Sequence, residues 1–206
     1  MVMDPSDRRA WNAAHRGEGE PAIAQRIRDR LPPLDGLRVL HVQCGDGAAA
    51  IELAASGALV TGLDSDPVAL DLARRRGPDL PWLQGDPQHL PGELRRARFD
   101  LVYMDLGGLT GLLDFGAWAA GVHAALRPLG WLVVHEEHPA ALCLDAALHW
   151  REDYFSSWKL GDLVTAVSHA GLTVKRLEEY PARRDAWRKQ DPRVPGEFLL
   201  RAEKPQ

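Results

Sequence analysis

Apolar residues along the chain follow two spacings in turn, and their alternation predicts strands separated by helices. Residues 37–44 are apolar almost throughout, which is typical of a strand in a parallel sheet that helices cover on both faces. A helical pattern opened and closed by glycine follows at residues 45–57, and a second strand pattern at residues 58–64. These segments predict a strand–helix–strand unit with a right-handed crossover.

The same alternation continues through the middle of the chain. Helical patterns occupy residues 66–77 and 113–128, and strand patterns lie at residues 80–86, 99–106 and 130–137. An amphipathic helical pattern at residues 159–171 precedes two further strand patterns, at residues 172–180 and 197–204. This order predicts an α/β fold with a doubly wound, mostly parallel sheet.

Two regions fall outside the regular alternation. Residues 1–33 read as a polar arm followed by a helix at residues 21–31, which ends where Pro32 and Pro33 prevent its continuation. We interpret this arm as a candidate lid. The remaining residues, 34–206, are predicted to form one domain, in which the weakly periodic stretch 140–158 is a lid or an insertion.

Length and composition narrow the class of protein. The 206 residues, of which 45% are hydrophobic, suit one domain, and the net charge of −4 argues against a globally basic nucleic-acid binder. The two cysteines, Cys44 and Cys143, are too few for a disulfide framework. The polar N-terminus and the lack of a long apolar run predict a cytoplasmic protein without a membrane span.

The turn after the first strand pattern carries the first candidate chemistry. Gly45 and Gly47 would let a ligand approach the backbone, and the helix that begins there aims N–H groups at it. Asp64 ends the second strand pattern, about 20 residues further on, where an acid can accept hydrogen bonds from ribose hydroxyls. The pattern predicts a nucleoside site. Because the glycines and Ala50 also satisfy a loose dinucleotide pattern, an NAD-dependent oxidoreductase is one alternative.

Six short motifs, spread over nearly the whole chain, carry a resemblance to a known family. They are Trp11-Asn12…His15, Leu40-His41-Val42-Gln43-Cys44, Val60-Thr61-Gly62-Leu63-Asp64, Phe99-Asp100-Leu101-Val102-Tyr103, Glu136-Glu137-His138-Pro139 and Glu179-Tyr180-Pro181. With these motifs the chain resembles the Rossmann-type (class I) S-adenosylmethionine-dependent methyltransferases, and within them a bacterial group that acts on small molecules. The resemblance implies a seven-stranded sheet in the order 3-2-1-4-5-7-6, with strand 7 antiparallel and helices on both faces.

Residue by residue, the resemblance implies a site for S-adenosylmethionine. The implied cofactor-binding residues are Gln43, Cys44, Gly45, Gly47, Asp64, Ser65, Asp86, Pro87, Met104 and Asp105. Among them, Asp64 would hold the ribose and Asp86 would lie near the adenine, an arrangement that dinucleotide enzymes do not generally share. The backbone around Met104 and Asp105 would face the methionine part of the cofactor.

Candidate catalytic residues follow the fifth strand pattern. Glu136 and His138 are two residues apart and share one side if the strand persists, so His138 is the candidate base, oriented by Glu136. Trp11 and His15, spaced i, i+4, are candidates to face the substrate from the arm. No metal site is predicted, because His135 and His138 would point to opposite faces of a strand.

Departures from the resembling group keep another interpretation open. Gln43 replaces the first glycine of the loop, His41 replaces an acid, and Leu129 precedes Gly130 where two glycines are usual. With the short 140–158 region, these departures leave a non-catalytic binding module as the second alternative to a methyltransferase. A small-molecule acceptor is expected as the partner and nucleic acid is not, while the acceptor's identity and the oligomeric state are left open.

Overall fold

The structure is a computed structural model, which describes residues 21–109, 111–145, 148–156, 158–181 and 192–206. Its strands, in chain order, are β1 (Arg38–Val42), β2 (Leu59–Asp64), β3 (Trp82–Gln84), β4 (Phe99–Met104), β5 (Leu126–Glu137), β6 (Thr173–Pro181) and β7 (Pro195–Glu203). Its helices are α1 (Gln25–Arg28), α2 (Ala48–Ala55), α3 (Pro67–Arg76), α4 (Phe115–Ala125), α5 (Pro139–Leu142) and α6 (Leu160–His169), with a 3₁₀ turn at Tyr154–Ser156.

The strands of the described residues form one sheet in the order β3-β2-β1-β4-β5-β7-β6. Strands β1 to β5 pair in parallel, and β7 lies antiparallel between β5 and β6. The predicted sheet order and the antiparallel last strand are therefore confirmed. Because the five parallel strands point the same way, the turns that follow β1, β2, β3, β4 and β5 all lie along one edge of the sheet.

Alternate residues of the central strands face two separate cores. Val39 of β1 and Leu101 of β4 pack in a core with Ile27 of α1 and with residues of α2 and α3. Their neighbours Leu40 and Val102 pack on the other side, in a core with α4 and α6. Helices therefore cover both faces of the sheet, as predicted, which explains why the strand patterns are apolar throughout.

Two predicted boundaries differ from the structure. The helix expected at residues 21–31 is helical only over α1. The helix expected to reach Pro128 ends at Ala125, because Leu126 already pairs with Phe99 as the first residue of β5. The early end also fits the restriction that Pro128 places on the residue before it, which disfavours helical backbone.

Ion pairs hold the α1 segment onto the domain. Glu52 of α2 accepts hydrogen bonds from the backbone N–H groups of Ala22 and Ile23, at 2.5 and 3.0 Å, and from the Arg28 guanidinium at 2.6 Å. Arg26 forms an ion pair with Glu197 of β7. Residues 22–28 are therefore fixed to both α2 and the sheet.

The connection between β5 and α6, which contains the region 140–158, is mostly irregular. It holds α5, an isolated antiparallel bridge between Leu144 and Trp150, and the 3₁₀ turn. Throughout the described ranges, no helix has the length and apolarity needed to cross a bilayer.

Candidate active site

The turn between β1 and α2 requires glycine at Gly47. Gly47 has a φ of 80°, in the left-handed region, and is the N-cap of α2. A Cβ atom at this position would lie 2.6 Å from the ring of Trp82, at the start of β3. The side chain of Trp82 thus supports the turn from below, and the glycine is fixed by close approach as well as by backbone conformation.

Asp64 joins this turn to the end of β2. Its side chain is buried, and its two carboxylate oxygens accept hydrogen bonds from the backbone N–H groups of Gly45 at 2.7 Å and Asp66 at 2.9 Å. A carboxylate offers about four acceptor positions, and these two backbone donors use two of them. The structure therefore brings together the glycine turn and the acid that the sequence places 19 residues apart.

The next acid along the same edge follows β3. Asp86 accepts hydrogen bonds from the backbone N–H of Gln88 and from His89 Nδ1, each at 2.8 Å, and the bond from His89 is the main cause that lowers the pKa of its carboxyl group. Asp86 is exposed, whereas Pro87 is buried. Ser65 lies beside this turn, with its carbonyl oxygen 3.4 Å from the Gln84 amide nitrogen.

Gln43 and Cys44, the two residues that follow β1, are buried where the turn begins, at what we call the mouth of the site. Gln43 has a φ of 56°, and its side-chain oxygen has no hydrogen-bond partner within the described ranges. Burial, and next the charges of Asp64, Asp105 and Asp46, raise the pKa of the Cys44 thiol. Cys44 is therefore a protonated, buried thiol next to three carboxylates.

The buried carboxyl group of Glu136 holds the backbone of the segment after β4 through hydrogen bonds. Glu136 of β5 accepts hydrogen bonds from the N–H groups of Gly107 at 2.7 Å, Leu109 at 2.9 Å and Glu137 at 2.7 Å. Burial raises the pKa of Glu136 to about 8, against the lowering by these three donors. Glu136 thus fixes the segment 105–109 that follows Met104, itself fully buried.

His138 pairs with a residue that the sequence did not single out for catalysis. Its Nδ1 accepts the backbone N–H of Ala140 at 3.1 Å, and its Nε2 lies 2.9 Å from the carboxylate of Glu179 on β6. The expectation that Glu136 orients His138 is wrong, because the Glu136 carboxylate is taken up by backbone donors. Burial lowers the pKa of His138, and Glu179 opposes that shift.

The remaining predictions concern the N-terminal residues Trp11 and His15, the histidine His135, and a metal site. Trp11 and His15 lie outside the described residues. His135 lies away from His138, with its Nε2 2.6 Å from the carboxylate of Glu197. In the described ranges, no group of three or more histidine, cysteine, aspartate or glutamate side chains is arranged to hold a metal ion.

Comparison with known proteins places the chain in a family. Residues 39–130 match a family model described as a methyltransferase domain. An uncharacterised methyltransferase of Synechocystis is 33% identical to the chain over 174 residues, which make up 79% of each protein. The chain belongs to the class I S-adenosylmethionine-dependent methyltransferases.

Two further similarities agree with this membership. A demethylmenaquinone methyltransferase of Corynebacterium kroppenstedtii is 36% identical over 112 residues, which cover 53% of this methyltransferase and 45% of that relative. The crystal structure of an S-adenosylmethionine-dependent methyltransferase from Mesorhizobium loti superposes with a TM-score of 0.69 at 25% identity, covering 87% of this chain and 96% of that one. The cofactor of this family is S-adenosylmethionine, which decides against the NAD-dependent alternative.

The residues at the sheet edge suit S-adenosylmethionine, which carries a sulfonium and an ammonium cation. The charges of Asp64 and Asp105 near Cys44 give the mouth a negative potential that favours these cations, while Arg76 offsets the charge of Asp46. The buried oxygen of Gln43 needs a donor that the described residues do not supply. Asp64 supplies the acceptor expected for ribose hydroxyls at the end of β2.

Proposed function

We propose that this methyltransferase transfers the methyl group of S-adenosylmethionine to a small molecule with an apolar body and a proton-bearing nucleophile. The observation that carries the proposal is the pair of His138 and Glu179, 2.9 Å apart, after the carboxyl end of β5. This is the sheet edge that also bears Asp64 and Asp105, so the pair lies along the edge on which the expected cofactor residues lie.

The cofactor and the protein contribute different parts of the reaction. Bound S-adenosylmethionine supplies an electrophilic methyl group, so the protein has to position the acceptor, exclude water and accept a proton. Glu136 keeps the segment 105–109 in place through its three backbone hydrogen bonds. Glu179 takes the proton of the acceptor, and His138 orients Glu179, because His138 Nδ1 already accepts the N–H of Ala140 and the hydrogen on its Nε2 faces the Glu179 carboxylate.

Exposed apolar side chains near the same edge support an acceptor with an apolar body. Leu113 is 92% exposed in the connection after β4, and Trp150 and Phe155 are 60% and 76% exposed in the connection after β5. Large apolar side chains exposed in the connections that leave this edge are available to contact an apolar ligand. The relative from Corynebacterium kroppenstedtii, named for demethylmenaquinone, agrees with an apolar acceptor.

The experiment follows where a labelled methyl group goes. The protein is incubated with S-adenosylmethionine labelled in the methyl group, and with small-molecule extract, total RNA or total protein from the source cells in separate reactions. We expect label in the organic-soluble products of the small-molecule reaction. Glu179→Gln should lower kcat by about 100-fold, the lower range for general base catalysis, without changing the Kd of S-adenosylhomocysteine.

The matched control is Glu152→Gln, because Glu152 is an exposed glutamate in the connection between β5 and α6. It should retain full activity. Label that enters RNA or protein instead would contradict the small-molecule acceptor. Binding of S-adenosylhomocysteine without transfer to any of the three fractions would support the non-catalytic alternative.

A further inference from the structure

A row of fully buried polar side chains lies beneath the cofactor site, on the face of the sheet covered by α1 and α2. His41 of β1 and Tyr103 of β4 are register partners with no exposed surface, and their ring centroids lie 5.3 Å apart. His41 Nε2 lies 3.1 Å from Oδ1 of Asp105, the residue that follows β4. The row therefore runs from the core out to a carboxylate at the mouth of the site.

Two polar atoms in this row lack a hydrogen-bond partner in the part of the chain that the structure describes. They are His41 Nδ1 and the hydroxyl oxygen of Tyr103. In a neutral imidazole one nitrogen donates and the other accepts, so a hydrogen on Nε2 that faces Asp105 leaves Nδ1 as an acceptor. Tyr103 carries a hydroxyl donor, and the centroids of the two rings lie 5.3 Å apart, so a water between the hydroxyl and Nδ1 would give both atoms a partner.

Asp105 differs from the other two carboxylates around Cys44. Asp46 forms an ion pair with Arg76, and Asp64 accepts from the backbone N–H groups of Gly45 and Asp66. The recorded side-chain partner of Asp105 is His41, and Asp105 is 20% exposed where Asp64 is buried. Asp105 thus combines a fixed position with access to the mouth.

We propose that His41 is a positioning residue of the cofactor site, which holds the Asp105 carboxylate against the ammonium group of S-adenosylmethionine. Tyr103 serves the same arrangement one step deeper, through a water that accepts from its hydroxyl and donates to Nδ1, which keeps the hydrogen on Nε2. This inference rests on the S-adenosylmethionine cofactor and is independent of the acceptor. It predicts that the row acts on the amino-acid end of the cofactor and leaves the adenosine end unaffected.

Calorimetry with two ligands separates these ends. S-adenosylhomocysteine carries the amino-acid group, whereas 5′-methylthioadenosine has the same nucleoside without it. We expect His41→Leu to weaken binding of S-adenosylhomocysteine about tenfold, the effect of losing a hydrogen bond to a charged group, with an unchanged Kd for 5′-methylthioadenosine. His41→Gln, which keeps a donor for Asp105, should recover part of the lost affinity.

Two further variants test the row on either side of His41. Asp105→Asn should weaken S-adenosylhomocysteine alone by at least as much as His41→Leu. Tyr103→Phe, which is nearly isosteric, should shift the ¹⁵N resonances of the His41 ring away from the pattern of a single tautomer with hydrogen on Nε2. The control is His135→Gln, which alters a buried histidine on the same face that pairs with Glu197, and both ligands should bind it normally.

The outcomes distinguish this inference from the assignment of the cofactor. If the unaltered protein binds neither ligand, the cofactor assignment fails and the inference with it. If the unaltered protein binds both but His41→Leu weakens both equally, or neither, His41 has only a structural role and the inference is overturned. Unchanged ring resonances in Tyr103→Phe would remove Tyr103 from the row.

Discussion

Replacing Glu136 with glutamine turns one of the two side-chain oxygens that hold the segment after β4 into an NH₂ group. The Glu136 carboxylate accepts from Gly107 and Glu137 through Oε1 and from Leu109 through Oε2. A glutamine that keeps its oxygen toward Gly107 turns its NH₂ group toward the N–H of Leu109. Two donors then face each other in a buried position.

The cost follows from that buried donor. At pH 5 the Glu136 carboxyl group is protonated, yet both of its oxygens can still accept, whereas glutamine offers one oxygen. The N–H of Leu109 that is left unsatisfied costs about 1–3 kcal/mol, so Glu136→Gln should lower the free energy of unfolding at pH 5 by this amount. For a chain of this length, that corresponds to a fall of roughly 2–12 °C in the midpoint of thermal unfolding. Because the released segment includes Asp105, the affinity for S-adenosylhomocysteine should fall as well.

The pH dependence gives the same prediction a second check. The pKa of Glu136 is raised from 4.5 to about 8, so the folded state binds more protons than the unfolded state between these values. The contribution of this group is fully present below pH 4.5 and is lost as pH rises through 8, with a slope of up to about 1.4 kcal/mol per pH unit. The excess stability of the unaltered protein over Glu136→Gln should therefore shrink from pH 5 to pH 8.

Urea denaturation at pH 5, 6.5 and 8, followed by tryptophan fluorescence, measures both effects. The control is Glu93→Gln, an exposed carboxyl group, which should leave the stability within about 0.5 kcal/mol at every pH. A Glu136→Gln protein as stable as the unaltered one at pH 5, or a stability difference that grows toward pH 8, would refute the reasoning.

Three other predictions follow from single contacts. Gly47→Ala should destabilise the protein by more than about 1 kcal/mol in urea denaturation and weaken S-adenosylhomocysteine binding, because its Cβ would lie 2.6 Å from Trp82 at a φ of 80°; unchanged values would contradict the close packing. The Cys44 thiol, buried and with a raised pKa, should react with a thiol reagent only after unfolding, and rapid labelling of the native protein would show that the turn opens. Phe155→Ser should leave the thermal midpoint unchanged and raise KM for an apolar acceptor, whereas an unchanged KM would exclude Phe155 from acceptor binding.

The order of the sheet could be predicted because the alternating pattern and the motifs agree along the chain. Apolar runs mark strands buried on both faces, and the two cores of the structure show why Val39 and Leu40 are both apolar. The closeness of the glycine turn and Asp64 could also be predicted, because neighbouring parallel strands bring their carboxyl ends to the same edge of the sheet. The start of β5 at Leu126 could not be predicted, because the pairing of Leu126 with Phe99 overrides the helical pattern.

The partners of the buried polar groups could not be read from the sequence. Glu179 reaches His138 because β7 lies antiparallel between β5 and β6, which brings together residues 41 positions apart. Glu136 looked like a partner for His138 from its spacing, yet the folded segment 107–109 offers it backbone donors. Such pairings depend on how loops fold over the sheet edge, and local spacing carries no signal for them.

Isothermal titration calorimetry with S-adenosylhomocysteine tests the central claim most directly, namely that the sheet edge around Gly45, Gly47 and Asp64 binds the cofactor. We expect one binding site per chain, much weaker binding by Asp64→Asn, and no measurable heat with NAD. A folded, unaltered protein that gives no heat with S-adenosylhomocysteine at millimolar concentration, or one that binds it equally well after Asp64→Asn, would show that this edge does not bind the cofactor.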